Sequence, residues 1–317
     1  MQQLRSSAWL WWIMLGVILL IGAVTYFTGY DTDMPLLYEN IDERRNLYET
    51  YVMRGLSEEN LTKPGYPPGI LWVYIGAQQA VETVTGETAF EHPGMVVLYV
   101  RVAAILTSLL TAFYAALVGR KLMGDIAGLL AAAVWLSLPL VFERTVDGLP
   151  QTYEVMFYTA AVYYAILAME KKSVFWSNIS VLVGLFCVIF KYTAFPILGL
   201  GVGATLWNLW QQPEKRKIWL RMLGFQFVGI IITAYYLLEI YGVSGLISTD
   251  HPETNAFLDS GLGLLLNFDR NLFIFHAGIG QTGLSLLLFV LTFILGTIIY
   301  FRLHQEGWKR IGFIFTA

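Results

Sequence analysis

Asp42 and Glu43 form an adjacent acidic pair, followed at once by Arg44 and Arg45, in a polar stretch just after the first apolar run. A carboxylate can take a proton from a hydroxyl or amine, and nearby cations can hold an anion or stabilise developing negative charge. Acid beside base at a membrane surface points to a reaction site. Three more residues with such chemistry lie further along: Lys63 in a Lys-Pro-Gly turn, Asp147 in the connector 143–150, and Lys191 between two apolar runs. Each also has a simpler reading. Residues 41–56 fit an amphipathic anchor helix with solvated charges, Lys63 a snorkelling cation on a rigid loop, and Asp147 a cap where a helix starts. For Lys191, snorkelling and anion binding stand level.

The elements that must position these groups are set by the composition. Of 317 residues, 56% are hydrophobic and 14% charged, with a mean hydropathy of +0.59, so most of the chain has lipid as its solvent. This is an all-α polytopic membrane protein. A net charge of -3 and a pI near 5.8 provide no basic field for nucleic acid. The one cysteine, Cys187, lies in an apolar stretch, which excludes an internal disulfide and fits a small buried hydrophobe.

Residues 8–27 carry no charge, enough for a span of about 20 residues. The run ends Thr25-Tyr26-Phe27-Thr28 rather than in the small residues of a cleavage site, so it is a retained first span. Further apolar runs cover 96–118, 126–142, 155–169, 174–190, 194–210, 220–240 and 283–300, each helical because hydrocarbon leaves no other open-chain solution. The basic residues gather at every second connector: Arg120-Lys121, Lys171-Lys172, Lys215 to Lys217, and 302–310. Residues 66–81 would invert this alternation if they crossed, so they are expected as a short helix in the outer interface. With that choice the inner side has 12 Lys and Arg against 4 Asp and Glu, and the outer side 8 against 19.

The expected architecture is thus one transmembrane domain over 1–317: a first span (8–28), an extracytoplasmic loop with interfacial helices (29–95), six spans (96–241), a second extracytoplasmic loop (242–282), and a final span with a truncated successor (283–317). The closing apolar piece, 311–317, is too short to cross, so the chain is expected to continue. Asp42, Glu43, Lys63, Arg101, Asp147, Glu154, Lys191 and Glu239 then all face outward. Their co-location is better evidence of a site than any one of them.

Several short motifs share this order and sidedness: Asp42-Glu43 with Arg45 three residues after the Asp; Lys63-Pro64 before Pro67-Pro68-Gly69; Arg101-Val102-Ala103; Asp147 with Pro150; and Phe190-Lys191-Tyr192. In this the chain resembles the polyprenyl-phosphate-dependent glycosyltransferases of the GT-C fold, in the branch of the dolichyl-phosphate-mannose protein mannosyltransferases and lipid A aminoarabinose transferases. The resemblance implies catalytic carboxylates at Asp42, Glu43 and Asp147, Asp42 being the base. It also implies a lipid phosphate held by Arg45, Lys63 and Lys191. The partners implied are a polyprenyl-phosphate sugar donor and a protein, glycolipid or glycan acceptor, on the extracytoplasmic side of a plasma membrane. Two positions depart from the pattern: Asn46 stands where an aromatic is common, and Gly65 follows Lys63-Pro64 where a second proline is common.

Sugar transfer from a lipid phosphate needs one base and cations for the departing phosphate, and direct displacement inverts the anomeric centre. Two other readings remain. A lipid or solute transporter would use Lys191, Glu154 and Glu239 as a path, although no internal repeat supports it. A scaffold would carry solvated loop charges. No cofactor is predicted; Asp250, His251, Glu253, Asp269 and His276 lack metal-ligand spacing, and a divalent metal stays only as an alternative to a solvated loop.

Overall fold

The computed structural model describes residues 5–29, 41–57 and 68–246, with the side chains of 5–8, 41, 42, 192, 193 and 238–246 outside the description. Among these residues the regular structure is helical throughout: α1 Arg5–Phe27, α2 Ile41–Met53, α3 Pro68–Thr85, α4 Pro93–Met123, α5 Asp125–Ser137, α6 Pro139–Val146, α7 Pro150–Lys171, α8 Val174–Phe190, α9 Leu198–Gln211 and α10 Arg216–Leu246. Residues up to Thr233 form one compact unit; Ala234–Thr316 belong to a second, whose described part is the end of α10. Lys63, the 247–282 stretch with its His and Asp residues, and the last two apolar runs lie outside the described residues.

Proline punctuates the chain. It opens α3, α4, α6 and α7, where its missing N–H would have no partner in any case and its fixed φ suits a helix start. Gly124 at φ 98° turns α4 into α5, and Lys172 closes α7 in the left-handed region at φ 47°. Arg120 and Lys121 in the last turn of α4, and Lys171 in that of α7, oppose the helix dipoles.

The membrane character expected from composition is carried by the helix surfaces. On α1, Trp9, Leu10, Ile13, Leu20 and Ile21 point outward, an arrangement that hydrocarbon solvates and water does not. By length and composition, 9–27, Pro93–Met123 and Pro213–Leu237 can each cross a membrane, and α5 with α6 makes a fourth if a 60° bend is counted as one span. That bend alters the expected span 126–142. Pro139 lacks the N–H to continue the ladder and crowds the preceding turn, so the helix breaks after Leu138. Similarly, the run 194–210 begins as a 3-10 turn, Tyr192–Ile197, with Pro196 inside it, before α9.

Close approach of small residues holds the bundle. A Cβ on Gly128 would lie 2.5 Å from the Ala116 carbonyl oxygen, and one on Gly201 2.5 Å from Val181 Cγ2 and 2.8 Å from its backbone nitrogen; such backbone proximity is how helices associate where lipid removes the hydrophobic drive. Polar links add to it. Thr205 Oγ1 donates to Gln226 Oε1 at 3.1 Å, Gln226 Nε2 donates to Asn178 Oδ1 at 3.0 Å, and Asn208 Nδ2 donates to the Ala168 carbonyl at 3.0 Å. Cys187 is fully buried, its thiol donating to the Glu154 carbonyl at 3.2 Å.

Two contacts orient α4 and α7 in parallel. Near their starts Tyr153 donates to the Val100 carbonyl at 3.2 Å, and near their ends Lys121 pairs with Glu170. The basic connectors therefore meet at one end of the bundle, and the starts of α4 and α7 meet at the other.

α2 and α3 cover that second end. The expected surface helix 41–56 appears as α2, but its acidic residues Glu43 and Glu49 are buried, with Asn46 and Thr50, while Arg44 is exposed. Leu47 and Tyr51 pack with Ile70, Leu71 and Tyr74 of α3 and with Val97 and Val100 of α4. Gln78 donates to Thr50 Oγ1 at 2.7 Å, and Arg54 spans to Glu82 at 2.7 Å. α3 begins against α8: a Cβ on Gly69 would come within 2.8 Å of Phe190.

Candidate active site

The first turn of α2 carries position 42, where unpaired N–H groups and the helix dipole favour a carboxylate. Its neighbour Glu43 turns into the protein. Arg101 Nε donates to Glu43 Oε1 at 2.9 Å and Nη2 donates to Oε2 at 2.9 Å, both residues being 3% exposed. A planar guanidinium against a planar carboxylate fixes orientation as well as distance. The pair thereby pins the start of α2 to α4.

Close to Val100 and Arg101 lie the Asp147-Gly148 turn and the start of α7. Gly148 follows Asp147 at φ 64°, and a Cβ there would lie 3.0 Å from Val100 Cγ1 and 3.8 Å from the Arg101 amide nitrogen. Only a residue without a side chain brings this turn so close to α4 at positive φ. Asp147 is not the start of α7: it closes α6, its N–H donating to the Glu143 carbonyl at 3.0 Å, while Leu149 precedes α7. On the same side, Lys191 Nζ stands 3.9 Å from Glu154 Oε2, and Glu154 follows the Tyr153 that bonds to Val100. Tyr153 stacks on Phe190 at 5.1 Å between ring centres, and Phe190 on Phe157 at 5.3 Å, so the residue before Lys191 is held in an aromatic column. One turn of α4, Val100-Arg101, is thus the junction where the starts of α2 and α7 and the end of α8 come together.

The remaining predicted residues differ in placement. Arg45 is engaged along its own helix, donating to Glu49 at 2.8 Å, so a phosphate there would compete with a buried carboxylate. Lys63, and the side chains of Asp42 and Glu239, fall outside the description. Asn46, one of the two positions where the sequence departs from the family pattern, is fully buried with neither amide atom hydrogen-bonded. Among the described residues no group of three or more His, Cys, Asp or Glu is placed to hold a metal ion.

Sequence reasoning noticed Arg101 and Glu154 as unusual charges but not their partners. Glu43 and Arg101 are 58 residues apart and on different helices, so no spacing rule joins them. The available signal was energetic: a charge near the start of an apolar helix requires a counter-charge.

Residues 94–238 match the sequence model of the dolichyl-phosphate-mannose-protein mannosyltransferase family. The match runs from α4 into α10 and so includes Arg101, Asp147, Glu154 and Lys191, while 42–45 and Lys63 precede it. No curated protein matches the chain.

Proposed function

With 94–238 similar to this family of GT-C membrane glycosyltransferases as the premise, we propose that the chain transfers a sugar from a polyprenyl-phosphate donor to an acceptor hydroxyl or amine, with inversion, on the extracytoplasmic side of a plasma membrane. The single observation that carries this beyond the family match is the junction at Val100-Arg101, to which the Glu43 side chain, the Asp147-Gly148 turn and the Tyr153-Glu154 segment all attach.

Asp42 is the base in this reading. As the acceptor oxygen or nitrogen attacks the anomeric carbon, its proton passes to the Asp42 carboxylate. The bond from the anomeric carbon to the phosphate oxygen breaks, and the electron pair leaves with the polyprenyl phosphate. Lys191, a cation 3.9 Å from Glu154, stabilises that departing charge, and Lys63 and Arg45 are further cations for it. Glu43 acts through position: its ion pair with Arg101 sets where the next residue, Asp42, stands. Asp147 supplies a second carboxylate near the acceptor side. The long extracytoplasmic loop over 29–95 serves as the platform for the base, and the helices from α4 onward as the membrane-embedded domain.

A transporter reading has less support, because the Lys191–Glu154 pair stands at the end of α8 and the start of α7 rather than at mid-helix. The deciding measurement uses Asp42→Asn in membranes supplied with a labelled lipid-phosphate sugar. Transfer should fall by about 10²- to 10⁴-fold, the usual contribution of a positioned base; undiminished transfer would remove Asp42 from the mechanism.

A further inference from the structure

The basic end of the bundle is divided in its charges. At the end of α4 both cations are matched: Arg120 pairs with Asp125 at 2.6 Å and lies 4.2 Å from the centre of the Trp11 ring, and Lys121 pairs with Glu170. At the end of α7 and the start of α10 the opposite holds. Lys172, Lys215, Arg216 and Lys217 are exposed, and none of them has an ion pair among the described residues. Glu214, the carboxylate of that connector, is also exposed and pairs with none of them.

These unmatched cations come from connectors far apart in sequence, and the fold ties the two together. Buried Gln212 donates from Nε2 to the Lys172 carbonyl at 3.4 Å, and Asn208 Nδ2 donates to the Ala168 carbonyl, one turn earlier in α7. The Lys215 N–H donates back to the Gln212 carbonyl at 3.0 Å, closing a turn whose ends lie within about 7 Å. Lys172 and Lys215 are thus both anchored to Gln212. The screening length in physiological salt is about 8 Å, so their charges act on an anion together.

The placement is unfavourable without an anion from outside the chain. Lys215, Arg216 and Lys217 stand at the start of α10, whose first turn holds no acidic residue and whose dipole disfavours cations. Lys172 takes φ 47°, a helix-closing position where glycine is the usual occupant. Apolar side chains stand out beside these charges: Trp210 in the last turn of α9, Phe175 in the first turn of α8 and Ile218 in that of α10 are 71%, 61% and 48% exposed. A ligand with an anionic head and hydrocarbon tails satisfies both sets. A soluble phosphate, an acidic peptide or a nucleic acid brings the charge and leaves the apolar side chains uncovered.

We propose that Lys172, Lys215 and Arg216 form a site for the phosphodiester headgroup of an anionic bilayer phospholipid, with its acyl chains against Phe175, Trp210 and Ile218. The site lies at the end of the bundle away from the Val100-Arg101 junction, and it does not depend on the transferase reading.

The test is native mass spectrometry of the full chain released from micelles that contain phosphatidylglycerol and phosphatidylcholine with identical acyl chains in equal amounts. One cation near an anionic lipid is worth about fivefold, so phosphatidylglycerol should be retained at least about tenfold over phosphatidylcholine. Lys172→Gln, Lys215→Gln and Arg216→Gln together should bring that ratio to parity. All three side chains are exposed, so the substitutions leave the packing intact. Lys121→Gln combined with Glu170→Gln, which removes a matched pair at the same end, should leave the ratio within about twofold. Equimolar glycerol 3-phosphate should not displace the lipid. Equal retention of the two lipids, a triple variant that keeps the preference, an equal loss on removing the Lys121–Glu170 pair, or displacement by glycerol 3-phosphate would overturn the proposal.

Discussion

Arg101 and Glu43, 58 residues apart in sequence, meet through two 2.9 Å hydrogen bonds with both side chains 4% exposed. Removing one of them leaves a buried charge without its bidentate counter-charge, whereas removing both removes the desolvation cost as well. Arg101→Leu should destabilise the fold by about 3–5 kcal/mol. Arg101→Leu combined with Glu43→Leu should recover most of that loss. Thermal unfolding in detergent reads the difference, and a double variant no more stable than the single one would show that the pair is not the clamp for α2. Sugar transfer should stay low even in the stable double variant, because the directional contact next to Asp42 is then lost and only the apolar packing of α2 remains.

Lys191 and Glu154 stand 3.9 Å apart, with side chains 25% and 19% exposed. That spacing is longer than a hydrogen bond, so the carboxylate steers the ammonium without sequestering it. Lys191→Gln should raise the donor KM by about tenfold, equivalent to 1.4 kcal/mol, and reduce its sensitivity to salt. Glu154→Gln should leave the donor KM equal or lower. Kinetics in proteoliposomes at several ionic strengths would expose the opposite pattern.

Glu82 is held below its ordinary pKa of 4.5, chiefly by its hydrogen bonds from Arg54. A depressed folded-state pKa means that the unfolded chain binds the proton more readily, so the contribution is complete above pH 4.5 and is lost as pH falls through the lower folded value. Undocking of α2 from α3, followed by hydrogen exchange in the 70s, should rise on that acid limb and stay flat between about pH 6 and 8. Glu82→Gln should flatten the limb. An acid response unchanged in Glu82→Gln would assign it to another carboxylate.

Asn46 is fully buried, with neither Nδ2 nor Oδ1 hydrogen-bonded. A buried polar group without partners costs about 1–3 kcal/mol. Asn46→Leu, of similar size, should therefore raise the thermal midpoint by the equivalent of about 1 kcal/mol. A drop of that size would show that the amide is satisfied in the membrane-embedded protein.

How much of this was legible beforehand depends on the range of the interaction concerned. The apolar runs, the prolines and the alternate placing of basic connectors are local properties, and from them came the helical membrane fold, the helix α2 and the resemblance that the match over 94–238 supports. The break at Pro139 was also in the sequence, since that ring cannot continue a helix, yet the apolar run on either side masked it. Position 147 was read as the entry to a helix because 143–150 was taken as a connector, which hid the second half of the short α6. The sequence by itself thus determined which residues could be charged, apolar or helical, and which solvent the chain needs. Only the tertiary structure decided that Glu43 belongs to Arg101, that Glu154 stands beside Lys191, and that the polar face of α2 is buried rather than solvated. The reason is physical: a buried charge must find a counter-charge, but nothing in its neighbourhood along the chain states which distant helix will supply it.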